Sequence, residues 1–169
     1  MGANYDLAYK HYWKACYQSA DTYPKDSAKT ILGCAVDGTQ RPPKSNYLWR
    51  IDDPSAKNSN ARAKARCDSL WPGATWPAQE CDEYPFQSSG TRNADNDTHR
   101  NFSVCSMPKT QNGEAGKALT RLYNRDRILY GQNFFNRFAT KLTSVEPMKD
   151  LCFQPIKQSS VFFNDQPKD

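Results

Sequence analysis

No apolar run in this 169-residue sequence approaches the ~20 positions that a membrane-spanning helix needs, so no membrane partner is expected. The first residues, Met1-Gly2-Ala3-Asn4-Tyr5, lack the apolar stretch of a secretory leader. If the protein is exported, the chain is expected to be a mature form or a piece of a longer protein, with Met1-Gly2 added at its start. Apolar residues are few: the mean hydropathy is −0.89 and only 37% of residues are hydrophobic, which excludes a large aliphatic core. The six cysteines contain no C-x-x-C pair, which argues against a zinc ribbon or a thioredoxin-like site. With only two histidines, no G-x-S-x-G elbow and no Ser-His-Asp order, a serine hydrolase has no support. No internal repeat is visible.

What is present points to a small, loop-rich domain that needs covalent staples. Aromatics reach 12% and partly compensate for the missing aliphatics, while 11 prolines break the chain often. Cys16, Cys34, Cys67, Cys81, Cys105 and Cys152 are an even number of cysteines spread through the chain. They read best as up to three disulfides, and so as an oxidising compartment, with reduced and buried thiols as the alternative. The length suits one domain. A net charge of +5 suits a polyanionic partner without proving one.

The pattern predicts a helix over 5–20 on the stripe Tyr5, Leu7, Ala8, Tyr12, Trp13 and Cys16, ended by Pro24. Within it, His11 reads as a structural residue. Thr30–Val36 is a short apolar run, either a buried strand or a helix end. Residues 37–60 read as a long surface loop around Tyr47-Leu48-Trp49. Asn58-Ser59-Asn60 offers an N-cap to a helix over Ala61–Cys67, stopped by Pro72-Gly73. Strands are expected over 82–88 and 101–107, joined by a polar loop at 89–100. That loop holds His99 and an Asp95-Asn96-Asp97 turn without the later Gly and Glu of a calcium loop. Asn96-Asp97-Thr98 and Asn101-Phe102-Ser103 match glycosylation acceptors, which matters only in a eukaryotic host. A helix beginning near Gly113 carries Ala115, Leu119, Leu122 and Tyr123 on one face and Lys117, Thr120, Arg121 and Asn124 on the other. Asn112 stands where its N-cap belongs, either capping or turned into a site. The run Phe134–Phe138 fits strand or helix, and the last residues look like a loose tail.

The stretch with chemical character is Cys81-Asp82-Glu83-Tyr84-Pro85-Phe86. Proline and its aromatic neighbours favour extended backbone, where successive side chains diverge, so Asp82 and Glu83 share a site only if a bend re-aims one. Two carboxylates beside buried aromatics suit a metal ligand and a general base; two solvated acids at a strand start are the plain alternative. This stretch resembles the signature of the NucA/NucB-type deoxyribonucleases, small secreted bacterial nucleases whose domain also ends larger proteins, including toxins. The block Pro108-Lys109-Thr110-Gln111-Asn112-Gly113-Glu114-Ala115-Gly116 followed by Asp126-Arg127-Ile128-Leu129-Tyr130-Gly131 and Phe134 resembles the family's second pattern. The resemblance covers roughly residues 61–140 and favours a strand at Phe134.

The resemblance implies an α+β fold, a small loop-rich ββα-metal-like nuclease core with disulfides. It implies residues 61–140 as the core, 1–60 as an N-terminal extension packed on it, and 141–169 as a tail anchored by Cys152. Carried over residue by residue, Asp82 and Glu83 are the base and the metal ligand, with Asp82 favoured as base, and Asn112 is the second ligand. Mg²⁺ or Mn²⁺ is the expected divalent metal. Glu114 and His99 are supporting candidates near the site. Lys117, Arg121 and Arg125 are candidate DNA contacts, within a region from Lys109 to Lys141 whose excess of basic residues equals the net charge of +5. Arg62, Lys64 and Arg66 are a second basic set, or a solvated helix face. The expected activity is metal-dependent, largely sequence-non-specific hydrolysis of DNA by a secreted or toxin-delivered monomer, with an immunity or inhibitor protein as partner if it is a toxin. The alternative is a non-catalytic extracellular carbohydrate-binding module that stacks sugars on exposed aromatics.

Overall fold

A computed structural model describes residues 5–36, 40–51, 56–72, 78–90, 101–137, 142, 145 and 147–152. Helix α1 (Asp6–Tyr17) forms within the expected span, with Asp6 in its first turn and Lys14 in its last, where each suits the helix dipole. It buries Ala8, His11, Trp13, Lys14 and Ala15. The Lys14 ammonium reaches out to Asp21 at 3.1 Å and to Gln18 at 2.8 Å, so burying its stem leaves no unpaired charge. Thr30–Val36 forms neither strand nor helix. It makes single bridges instead, Cys34 with Asn136 and Val36 with Gln40. Gly33 sits there at φ +83°, pressed under the Leu48 side chain where no Cβ would fit.

The expected 37–60 loop contains β1 (Leu48–Trp49) and the start of α2 (Ala56–Leu70). Asn58–Asn60 lie inside this helix and do not cap it. Asn and Ser cost only tenths of a kcal/mol in a helix, and α2 is held from its far end by Ala63, Cys67 and Leu70 in the core. Strands β2 (Gln79–Tyr84) and β3 (Ser103–Pro108) pair antiparallel, with Asp82 opposite Cys105 and Tyr84 opposite Ser103. β2 lies earlier than the expected 82–88 because Pro85 has no N–H to give the ladder. Helix α3 (Lys109–Arg125) follows β3 directly and begins four residues before Gly113, so Asn112 is inside its first turns and is not its cap. Its Ala115 and Tyr123 are buried while Lys117, Thr120, Arg121 and Asn124 are exposed, as the stripe implies. β4 (Asn133–Phe134) pairs with β1, a shorter strand than the Phe134–Phe138 run suggested. Helix α4 (Met148–Leu151) ends at Cys152.

The result is an α+β fold with the consecutive order β2-β3-α3 at its centre. One core gathers Ala63, Cys67, Leu70 and Trp71 from the α2 side against Val104, Cys105 and Met107. The other surrounds Tyr84 with Ile31, Leu48, Phe86, Tyr123 and Phe134. Disulfides join Cys16 to Cys34, Cys67 to Cys81 and Cys105 to Cys152. No helix among the described residues is long and apolar enough to cross a membrane.

A cross-link limits the unfolded chain more as its loop lengthens. Cys105–Cys152 spans 47 residues, against 18 and 14 for the other two. Replacing this pair with alanines should therefore cost the most, at the upper end of about 2–5 kcal/mol. Urea midpoints of the three double variants check the ranking.

Candidate active site

Gln79, Glu80, Cys81, Asp82 and Glu83 all line one cavity of about 730 Å³. Five consecutive lining residues place that cavity along the edge of β2 that β3 does not pair. Alternation assigns Glu80, Asp82 and Tyr84 to the face packed by α1 and α3, and Cys81 and Glu83 to the face of α2. The edge position lets both acids reach the same space without a bend. The Tyr-Pro-Phe part of the motif is core. Tyr84 is fully buried, its hydroxyl donates to the Gly33 carbonyl at 2.9 Å, and its ring meets Phe86 edge-on at 5.1 Å.

Asp82 is 5% exposed, and both of its carboxylate oxygens are held from α1. His11 Nδ1 lies 2.6 Å from Oδ2, and the Tyr12 hydroxyl donates to Oδ1 at 2.8 Å. A carboxylate only accepts, so Nδ1 is the protonated ring nitrogen in this pair. On the far side of the ring, His11 Nε2 is 2.8 Å from Ser103 Oγ. Ser103, His11 and Asp82 thus stand as hydroxyl, imidazole and carboxylate in a row. Ser103 is fully buried and lines no part of the cavity, so this row does not present a nucleophile. Burial first, then the charge and hydrogen bond of Asp82, then the charge of Glu83, push the Tyr12 phenol well above its ordinary value. Tyr12 is therefore a hydrogen-bond donor at every working pH, and its hydroxyl senses both carboxylates.

Asn112 enters the cavity from α3. Its amide nitrogen donates to Glu80 Oε2 at 2.9 Å, and Lys109 stands 3.7 Å from Glu80 Oε1. Because a carboxylate takes only the NH₂ end, this bond fixes which way the amide faces and leaves its oxygen without a donor among the described residues. Gln111, the preceding residue, accepts from the Leu7 backbone N–H at 2.9 Å and so ties α3 to α1. The opposite wall carries Arg50. Its guanidinium lies 4.5 Å from the ring centres of both Tyr123 and Tyr130, and it donates to the Ile128 carbonyl at 2.6 Å. Tyr130 is 58% exposed at this wall. Beside it Gly90 lies flat under the Trp49 indole, where no Cβ would fit.

The structure therefore brings Asp82, Glu83 and Asn112 to one cavity, whereas Glu114, Lys117, Arg121 and Arg125 do not line it. Glu114 is turned to Lys117, whose ammonium donates at 2.7 Å and holds the carboxyl below its usual range. Arg125 is bound to Asp126 through two hydrogen bonds of 2.6 and 2.9 Å. Arg121 is exposed and forms no ion pair among the described residues. Of the second basic set, Lys64 lines the cavity and pairs with Asp68 at 2.9 Å, Arg66 is exposed, and the Arg62 side chain lies outside those described. His99 and the Asp95-Asn96-Asp97 turn lie outside the described residues. Sequence reasoning missed the parts played by His11, Tyr12, Glu80 and Arg50. Glu80 had a signal, since it is two residues before Asp82 and so on its face of a strand. The others had none, because only packing brings them near.

The donors at the cavity are carboxylates and an amide. Cys81 is spent in a disulfide and His11 is committed to Asp82 and Ser103, so the set suits a hard cation. No three His, Cys, Asp or Glu side chains among the described residues are grouped to hold a metal by themselves. The model of one protein family, described as Deoxyribonuclease NucA/NucB, matches residues 34–135. No curated protein and no solved structure matches the chain.

Removing the Glu80 carboxylate should release the Asn112 amide. In Glu80→Ala the Asn112 side-chain NH₂ signals should move to solvent-exposed positions in a ¹⁵N–¹H spectrum. The loss of the hydrogen bond should cost about 0.5–1.5 kcal/mol of stability, read from the urea midpoint.

Proposed function

The chain belongs to the deoxyribonuclease NucA/NucB family, and on that premise we propose that the cavity along β2 hydrolyses DNA phosphodiester bonds with a divalent metal and without base preference. The observation that carries this reading is the meeting of Asp82, Glu83 and Asn112, distant in sequence, along one strand edge. Asp82 is the general base: it takes the proton of the attacking water as the new P–O bond forms and the scissile P–O bond breaks. Glu83 and the amide oxygen of Asn112 are the ligands that would hold Mg²⁺ or Mn²⁺, with waters completing the shell. When bound, the ion supplies charge stabilisation at the phosphate and the leaving oxygen. Arg50, held within 4.5 Å of the ring centres of Tyr123 and Tyr130, offers its remaining N–H donors to the DNA backbone, and the exposed Tyr130 ring offers a face for a base. Backbone contacts carry no sequence information, which is the physical reason for non-specific cleavage.

Three disulfides among the described residues suit a secreted or delivered protein acting as a monomer, with an immunity or inhibitor protein as partner if it is a toxin. Of the aromatics a sugar binder would need on its surface, Trp13 and Trp71 are buried while Trp49 and Tyr130 are exposed, so it is the family match that makes the nuclease reading preferred.

Plasmid DNA should be nicked in Mg²⁺ or Mn²⁺ and spared with chelator. Asp82→Asn should lose about 10²–10⁴-fold in kcat while still binding Mn²⁺, and Glu83→Gln should bind Mn²⁺ more weakly. Full activity in both variants would remove the site assignment.

Affinity for DNA should divide by charge state. Removing one cation that neutralises a phosphate flattens the slope of log affinity against log salt by about 0.9. Arg50→Gln and Arg121→Ala should each show such a change, while Arg125→Ala, whose guanidinium already serves Asp126, should show little. Lys117 releases Glu114 before it can serve DNA, so adding Lys117→Ala to Arg121→Ala should flatten the slope by less than a second full step. Titrations of a short duplex at several salt concentrations measure all four.

A further inference from the structure

We propose that α1 is a working part of the active centre: His11 and Tyr12 are positioning residues that hold the Asp82 carboxylate in its reactive orientation. The catalytic unit then extends from the family-matched residues 34–135 back to residue 11. The proposal rests on the reading of Asp82 as the base, and its tests separate the two.

Rotation about the last bond of an aspartate is soft, with a broad, roughly two-fold profile. One hydrogen bond would leave the carboxylate plane free to rock. Here two donors from adjacent residues of one helix take different oxygens, at 2.6 Å and 2.8 Å, and the plane is fixed. A carboxylate has about four acceptor sites, so one stays open on each oxygen for a water proton. The two donors are themselves held. His11 is fully buried and anchored behind by Ser103, and the Tyr12 ring meets Phe86 edge-on at 5.1 Å.

The helix is fastened to both halves of the site. Cys16, on the turn after Tyr12, is bonded to Cys34, and the Leu7 backbone is bonded to Gln111, the neighbour of Asn112. A helix that merely covered the sheet would do so with apolar side chains. A buried ion pair or polar network is seldom a better source of stability than a packed apolar core. This helix instead places its two donors on the carboxylate that faces the cavity.

The experiment measures kcat, KM, Mn²⁺ binding by calorimetry and melting temperature on the full chain. The variants are Tyr12→Phe, His11→Gln and His11→Asn. Tyr12→Phe loses one hydroxyl. Gln carries its amide towards the Nε2 position and so keeps Ser103 but loses Asp82, whereas Asn carries an N–H near the Nδ1 position. Tyr12→Phe and His11→Gln should each lower kcat by about 10–100-fold, with KM and Mn²⁺ affinity within about twofold of the parent. His11→Asn should recover part of the loss. Should His11→Gln fail to fold, Tyr12→Phe decides alone. A folded Tyr12→Phe with parental kcat overturns the proposal, as does a folded His11→Gln equal to His11→Asn in kcat. If Asp82→Asn keeps parental kcat, the reading of Asp82 as base fails first. If Asp82→Asn is inactive and the α1 variants are not impaired, only the positioning role falls.

Discussion

The buried Asp82 carboxylate is the constraint around which this fold closes. An ionised group taken out of water without partners costs several kcal/mol, and the chain must supply donors from elsewhere in the sequence. It does so from α1, and the need explains why that helix lies where it does. The three cross-links all end near this point. Cys81 precedes Asp82 in the strand, Cys105 faces it across the ladder, and Cys16 lies on the helix that donates to it. A protein with few aliphatic residues thus concentrates its covalent reinforcement around its most costly buried group.

The cavity gains its chemistry from being at a strand edge. In the interior of a sheet, alternation would send Asp82 and Glu83 to separate compartments. At the edge of β2 away from β3, five consecutive residues border one space, and acids from both faces meet there. The α3 wall adds an amide whose direction is set by Glu80, and another wall adds a guanidinium held by two tyrosine rings and the Ile128 carbonyl. The Asn112 amide and the Arg50 guanidinium are thereby each held by neighbouring side chains.

Charge along α3 is arranged differently from its bare count. The excess of basic residues between Lys109 and Lys141 invites the view of a continuous DNA-binding face. Local pairing breaks that face up, since Lys117 serves Glu114 and Arg125 serves Asp126. Exposed pairs of this kind are weak and salt-sensitive, so DNA can compete for these cations, but only by separating them from their acids. The cavity-facing side of α3 is nearly uncharged: it presents Asn112, Ala115, Gly116, Leu119 and Thr120.

Sequence alone determined what depends on local pattern. The apolar stripe of α3, the extended backbone before Pro85 and the pairing of all six cysteines as a set were legible, because periodicity, proline and cysteine count act within a few residues or by parity. The α+β class came with the family resemblance. The family signature at Cys81–Phe86 was legible too, and with it the nuclease assignment. Element ends were not. α2 runs through Asn58–Asn60 and α3 starts before Asn112, because packing against β2 and β3 outweighs a capping preference of about 1 kcal/mol. Nor was the company Asp82 keeps. Sequence offered His11 as a structural histidine and Tyr12 as one position of a helical stripe, and both descriptions were true locally. That they reach the same carboxylate from about 70 residues away was decided by the docking of α1 on β2, where a buried charge had to find its donors.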